Sequence, residues 1–241
     1  MDLYLRVRKI IQNLPGKEDK KERAWVQKYL GSNKPTRCVK TGEIKKVARK
    51  FLKENDLSET EFFELIDNLY SRAKTFEEVD LAAKLIGIKK NYRKNIKVEG
   101  LGQWLTYTCG WAECDTLCQS NFTAEEILGR WNEWKKFLLK LNISKNIQQR
   151  RASLVLLCKA LRQSDDKRIV ELAIKQVESL KSEKEILVTK AVSWILRSMY
   201  KNHKEKLAEY LNENKNSLPK IAYREAMTKV LTGKKGVNRV K

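Results

Sequence analysis

Trp111 and Asp115 lie four residues apart in the stretch Cys109-Gly110-Trp111-Ala112-Glu113-Cys114-Asp115. On a helix that spacing puts an indole and a carboxylate on one face. An aromatic plate beside a single negative charge suits a cationic species, and a strongly basic chain would hold that species against a polyanion. A second segment, Lys190-Ala191-Val192-Ser193-Trp194-Ile195-Leu196-Arg197, supplies a matching wall. Val188, Val192, Ile195 and Met199 share a core-facing stripe there, and Lys190, Trp194, Arg197 and Lys201 fall on the opposite side. A competing account makes Trp111 a core residue and Asp115 an ordinary surface acid. It leaves the cations around Trp194 unexplained.

The elements that must position these residues sit in a chain of 241 residues, long enough to bury a sizeable core. Net charge is +21, from 51 basic and 30 acidic residues. Residues 1–50 hold 15 Lys/Arg against 5 Asp/Glu, and residues 201–241 hold 11 against 4. The centre is nearly neutral, with 25 against 21. Basic ends point to a polyanion, nucleic acid first and an acidic membrane surface second. No apolar run reaches the roughly 20 residues needed to span a bilayer, and no targeting segment is expected before Met1-Asp2-Leu3. Five cysteines, Cys38, Cys109, Cys114, Cys118 and Cys158, are odd in number. They read as reduced thiols in a cytoplasmic protein. The spacing of Cys109, Cys114 and Cys118 fits no common zinc pattern, and the one histidine, His203, is distant, so no metal or other cofactor is expected.

Residues 1–13 read as a short helix ending at Pro15-Gly16, and residues 17–30 as a second one carrying Trp25 and Tyr29. A basic helix follows from about Gly42, with Ile44, Val47, Ala48 and Phe51 inside and Lys45, Lys46, Arg49 and Lys50 outside. Four capping boxes then mark helix starts: Ser58-x-x-Glu61, Thr75-x-x-Glu78, Thr123-x-x-Glu126 and Ser182-x-x-Glu185. Ser164 before Asp165-Asp166 is another start, and Ser144 a weaker one. Successive starts are separated by 17, 21, 20 and 18 residues, read from positions 58 to 75 and then 123, 144, 164 and 182. Two helices per unit give a repeat in the range of helical-pair solenoids, near the HEAT class. Pro219 opens a final helix to about Leu231. The fold expected is therefore all-α, a single domain of antiparallel helix pairs over residues 1–232, with a mobile basic tail at 233–241.

The helix after Ser144 carries an inward stripe of Leu154, Val155, Cys158 and Leu161, and Leu156 and Leu157 make it apolar nearly all round, as a central helix should be. Arg151 lies on that same stripe. It must be paired within the protein or emerge at a groove, because unpaired burial of its charge is costly.

Together these segments resemble the AlkD-type DNA alkylation repair proteins, alkylpurine DNA glycosylases built from HEAT-like repeats. The matching stretches are Trp25 to Tyr29-Leu30, Phe76-Glu77-Glu78-Val79-Asp80-Leu81-Ala82-Ala83, Gly110-Trp111-Ala112-Glu113-Cys114-Asp115, Gln149-Arg150-Arg151-Ala152-Ser153, the Lys190–Arg197 segment, and Tyr223-Arg224-Glu225-Ala226. The similarity covers roughly residues 20–232. It implies an α-solenoid with a concave DNA-binding cleft, in which Asp115, Trp111 and Trp194 line the lesion site and Arg151, Arg197, Lys190 and Tyr29 face the DNA. Its implied partner is double-stranded DNA containing alkylated bases, and the protein is expected to be a monomer. The sequence departs from the family pattern at Lys34-Pro35-Thr36-Arg37-Cys38-Val39-Lys40, where relatives often carry Gly-Val-x-x-Pro, and at Gly110, where they often carry an aromatic residue. Some relatives lack the aspartate and bind DNA without excising bases; this chain keeps it.

The chemistry that follows from the resemblance is economical. Alkylation at N3 or N7 makes a purine cationic and weakens its bond to deoxyribose, so no general acid is needed. One carboxylate can stabilise the sugar cation and orient a water, unlike ordinary glycosidases with their two carboxylates. The resemblance also implies a lesion that stays largely stacked rather than flipped into a pocket. Zinc-dependent deamination lacks its His-x-Glu and Pro-Cys-x-x-Cys elements. The alternative class is a non-catalytic solenoid that binds nucleic acid or a protein, and Asp115 between two tryptophans discriminates against it.

Overall fold

The computed structural model describes residues 2–119 and 121–235. Among them are fifteen α-helices and no strand. In chain order these are α1 (Leu3–Gln12), α2 (Lys20–Leu30), α3 (Thr41–Glu54), α4 (Glu59–Ser71), α5 (Phe76–Ile88), α6 (Lys90–Lys94), α7 (Val98–Thr106), α8 (Gly110–Cys118), α9 (Ala124–Gly129), α10 (Trp131–Asn142), α11 (Ile147–Gln163), α12 (Lys167–Leu180), α13 (Ile186–Met199), α14 (Lys204–Glu213) and α15 (Lys220–Thr232). They form two compact units, Met1–Asn121 and Phe122–Lys241. In the second unit a helix packs chiefly on those one or two places along the chain, the contact pattern of a helical-repeat array, and in the first unit α1, α2 and α8 also reach helices further away in the chain.

In the first unit α5 is the central helix, packed against α3, α4 and α8. Besides its apolar residues it buries Glu77, Glu78 and Asp80. Each acid has a task. Glu77 accepts from Thr36 Oγ1 and from the Arg37 amide, both at 2.8 Å, and so fixes the loop that leads into α3. Glu78 accepts from Tyr4 Oη at 3.0 Å, which ties α1 to α5. Burial and the Glu78 charge push the Tyr4 hydroxyl up to about 12. Asp80 pairs with Lys84 at 3.0 Å one turn on, and burial raises its pKa. The expected face of α3 is present except at Val47: Ile44, Ala48 and Phe51 are buried, Val47 is half-buried, and Lys45, Lys46, Arg49 and Lys50 are exposed.

In the second unit α11 holds the centre, packed on α13, α10 and α12. Leu154, Val155, Leu156, Leu157, Cys158 and Leu161 are all fully buried, as the apolar circumference required. A buried amide network joins its neighbours, with Asn142 Nδ2 donating to the Gln176 side-chain oxygen at 2.5 Å and to Ser153 Oγ at 3.2 Å.

Two of the four capping boxes form, at Ser58 and Thr123. At Thr75 the box is absent, because Glu78 is drawn inward to Tyr4 and to the Lys74 amide. At Ser182 the helix starts later, with Glu185 as the cap. The Glu183 carboxylate accepts from the amides of Lys184 and Glu185 and pairs with Arg150, which extends the turn past Ser182. Ser144 and Ser164 likewise precede the true caps, Asn146 and Asp166, by two residues. The spacing survives these shifts: α11, α12, α13 and α14 start 20, 19 and 18 residues apart. Gly233, Lys234 and Lys235 follow α15, and residues 236–241 of the expected tail lie outside the described residues.

Candidate active site

The Trp111 and Asp115 spacing is helical, since both lie on α8. Helix α8 meets the end of α2 through two glycines with left-handed backbone, Gly31 at φ 69° and Gly110 at φ 72°. A Cβ on Gly110 would come within 2.2 Å of the Gly31 carbonyl oxygen. Only glycine fits here, which explains the departure from an aromatic at this position: the space is filled by the α2 backbone. Gly110→Ala is expected to cost at least about 2 kcal/mol, from the left-handed conformation and the backbone clash together. A thermal melt checks this, and an unchanged melting temperature would contradict the close approach.

The approach fixes Trp111. Its indole N–H donates to the Tyr29 carbonyl at 2.6 Å, and its ring meets the Tyr29 ring edge-on, with centroids 5.5 Å apart. The only polar atom of the indole is thus used by α2, so what Trp111 can offer a ligand is its aromatic surface, the part that attracts a cation. One turn along, Asp115 is 6 % exposed. A carboxylate in so dry a place acts more strongly on a nearby charge than one in water.

Glu113, between them in sequence, is turned the other way. It is fully buried and holds the 32–34 segment, accepting from Ser32 Oγ and pairing with Lys34 Nζ at 2.8 Å. It also accepts from the Cys109 amide at 3.0 Å, at the start of α8. Lys34 donates in addition to the Tyr107 carbonyl at 2.9 Å. The departure at residues 34–40 is therefore a built segment, pinned at one end by Glu113 and at the other by Glu77. All five cysteines are free thiols, and Cys114, Cys118 and Cys158 are buried.

In the second unit, α13 shows the two faces read from its spacing. Val188, Val192, Ile195 and Met199 are fully buried, Trp194 and Arg197 are half-buried, and Lys190 and Lys201 are exposed. Arg197 Nε lies 3.3 Å from Glu225 on α15, and Ser193 Oγ donates to the same carboxylate at 2.7 Å. Burial lowers the arginine's pKa, and the Glu225 charge opposes that shift. Arg197 is thus anchored by its Nε edge. Arg151 is buried at 4 % exposure and donates from Nη1 to the Leu187 carbonyl, joining α11 to the first turn of α13. The backbone carbonyl as acceptor, like Glu113, Lys34 and Glu225 as anchors, was not singled out by sequence reasoning. One signal was available for Glu113: it lies two residues from Asp115, nearly opposite on a helical wheel.

The family described as DNA alkylation repair enzyme matches residues 10–230, and the chain belongs to it. A solved structure described as a predicted DNA alkylation repair enzyme from Enterococcus faecalis is similar in fold. Its TM-score is 0.73 at 18 % sequence identity, covering 92 % of this chain and 100 % of that one. Comparison with curated proteins finds no match. No helix of the described residues is long and apolar enough to cross a membrane.

Proposed function

We propose that this protein is a DNA glycosylase that removes cationic N3- and N7-alkylated purines from duplex DNA by hydrolysis of the N-glycosidic bond. The observation that carries the reading is Asp115, a nearly buried carboxylate one turn from a tryptophan locked in place by α2, in a chain of the DNA alkylation repair family. The positive charge of the base makes it a good leaving group. As its bond to C1′ lengthens, positive charge builds on the sugar. Asp115 stabilises that charge and aligns a water for attack at C1′, while Trp111 and Trp194 pack their rings against the cationic nucleotide. Tyr29, Lys190 and Arg197 serve the DNA strand, Arg197 with its Nε edge held by Glu225, and Arg151, buried against the Leu187 carbonyl, serves it through α13, which carries Lys190 and Arg197. The protein acts as a monomer and without a cofactor. Incubating it with methylated duplex DNA and resolving the released bases tests this. Free 7-methylguanine or 3-methyladenine is expected, and retention of the DNA with no free base would make it a binding protein instead.

Duplex affinity should fall steeply with salt. Lys20, Lys21, Lys28, Lys45 and Arg49 are exposed, and among the described residues none is in an ion pair, so they are available for phosphates. Each phosphate neutralised contributes about −0.9 to the slope of log affinity against log salt. A titration by fluorescence anisotropy is expected to give a slope of several units, and a flat response would assign the charge another role.

A further inference from the structure

Helix α2 is unusual in burying no residue completely. Its exposed side carries Lys21, Trp25, Lys28 and Tyr29, at the i, i+4, i+7, i+8 spacing of one helical face. Trp25 is 66 % exposed and Tyr29 60 % exposed. Their rings are stacked nearly parallel, 4° apart in plane with centroids at 5.7 Å, and Tyr29 is braced in turn by Trp111. One side of the Trp25 ring is taken by Tyr29, and the residue as a whole stays largely in solvent. Fixing two large apolar rings in water gives the isolated fold little, since the indole buries only a third of its surface.

The cations around the rings point the same way. Lys17 pairs with Glu22, and Arg23 donates to the Lys17 carbonyl, so both serve the helix itself. Among the described residues Lys21 and Lys28, on the ring face, are in no ion pair. An exposed aromatic stack with available cations on the same helical face suits a strand whose bases have open faces and whose phosphates lie a few ångströms to either side. Paired bases inside a duplex have both faces covered. An unpaired base does not. Insertion into a membrane would need a broader apolar stripe than two rings.

We propose that the exposed face of α2 is a further nucleic-acid contact, on which Trp25 stacks with an unpaired base while Lys21 and Lys28 hold the adjoining phosphates. This rests on the nucleic-acid reading above and adds a preference for locally unpaired DNA. Trp25 is outside the proposed catalytic group, so its loss leaves that group in place.

The test compares a labelled intact duplex with the same duplex carrying a short single-stranded gap. Wild type is expected to bind the gapped form more tightly. Trp25→Ala should lose about 5- to 150-fold in affinity for gapped DNA, the range for one base–aromatic stack, with intact-duplex affinity nearly unchanged. Trp25→Phe should recover most of the loss. If Trp25→Ala melts early, the Lys21→Ala/Lys28→Ala pair is read instead, and it should lower the salt slope on gapped DNA by up to about 2. Equal losses on both DNAs from Trp25→Ala, or a gap preference independent of Trp25 and of these lysines, would overturn the proposal. So would Trp25-dependent binding to anionic vesicles without a gap preference. Base release from 7-methylguanine duplex, measured on the same preparations, separates the two readings. Trp25-dependent gap binding without release supports this proposal and removes the glycosylase reading. Release with a gap preference indifferent to Trp25 does the reverse.

Discussion

Lys34→Ala is expected to cost the protein about 3–5 kcal/mol of stability, the range for removing one partner of a buried ion pair. The Lys34 side chain is 13 % exposed and Glu113 has no exposure at all, so solvent screens the pair little. Without the ammonium, Glu113 keeps only the Ser32 hydroxyl and the Cys109 amide as donors among its named partners, too few for a carboxylate in so dry a place. Tyr107 loses the donor to its carbonyl as well. The double variant Lys34→Ala/Glu113→Gln should be more stable than Lys34→Ala alone, because the uncompensated charge is gone. Urea denaturation midpoints check both. A Lys34→Ala loss below about 0.5 kcal/mol would show that the pair is a surface contact of the ordinary kind. The same pair bears on function, since it braces the 32–34 segment against α8 and so supports the Tyr29–Trp111 contact.

The two faces of α13 and the apolar circumference of α11 could be read from the sequence because a helix converts spacing directly into direction. The same rule placed Trp111 and Asp115 one turn apart on α8. Helix starts were less legible. Ser58 and Thr123 cap as their local sequence suggests, but Thr75 and Ser182 do not, because partners distant in sequence, Tyr4 and Arg150, engage the acids near them. What a capping motif does depends on whether its acid is left to it. The 34–40 segment was opaque for a similar reason: its order comes from Glu77 and Glu113, each tens of residues away. Gly110 shows a third limit. Its departure from the family pattern reads as a missing aromatic, but what the position demands is room for the Gly31 carbonyl.

Asp115→Asn should lower the rate of base release by about 10²–10³, the usual effect of removing one preorganised charged group from a reacting centre. The substitution keeps the shape of the side chain, so α8 and the Trp111–Tyr29 contact should persist and duplex affinity should change little. That separation matters, because a residue needed only for folding or for holding DNA would move stability or affinity along with rate. Trp194→Ala, which removes a contact surface and no charge, should weaken lesion binding and rate together.

The decisive measurement is single-turnover release of 7-methylguanine from a defined duplex, with wild type and Asp115→Asn each in saturating excess over DNA. Saturation removes binding from the observed rate and leaves the chemical step. Wild type is expected to release free base and leave an abasic strand, with Asp115→Asn slower by two to three orders of magnitude. Equal rates in the two proteins would contradict a catalytic role for Asp115.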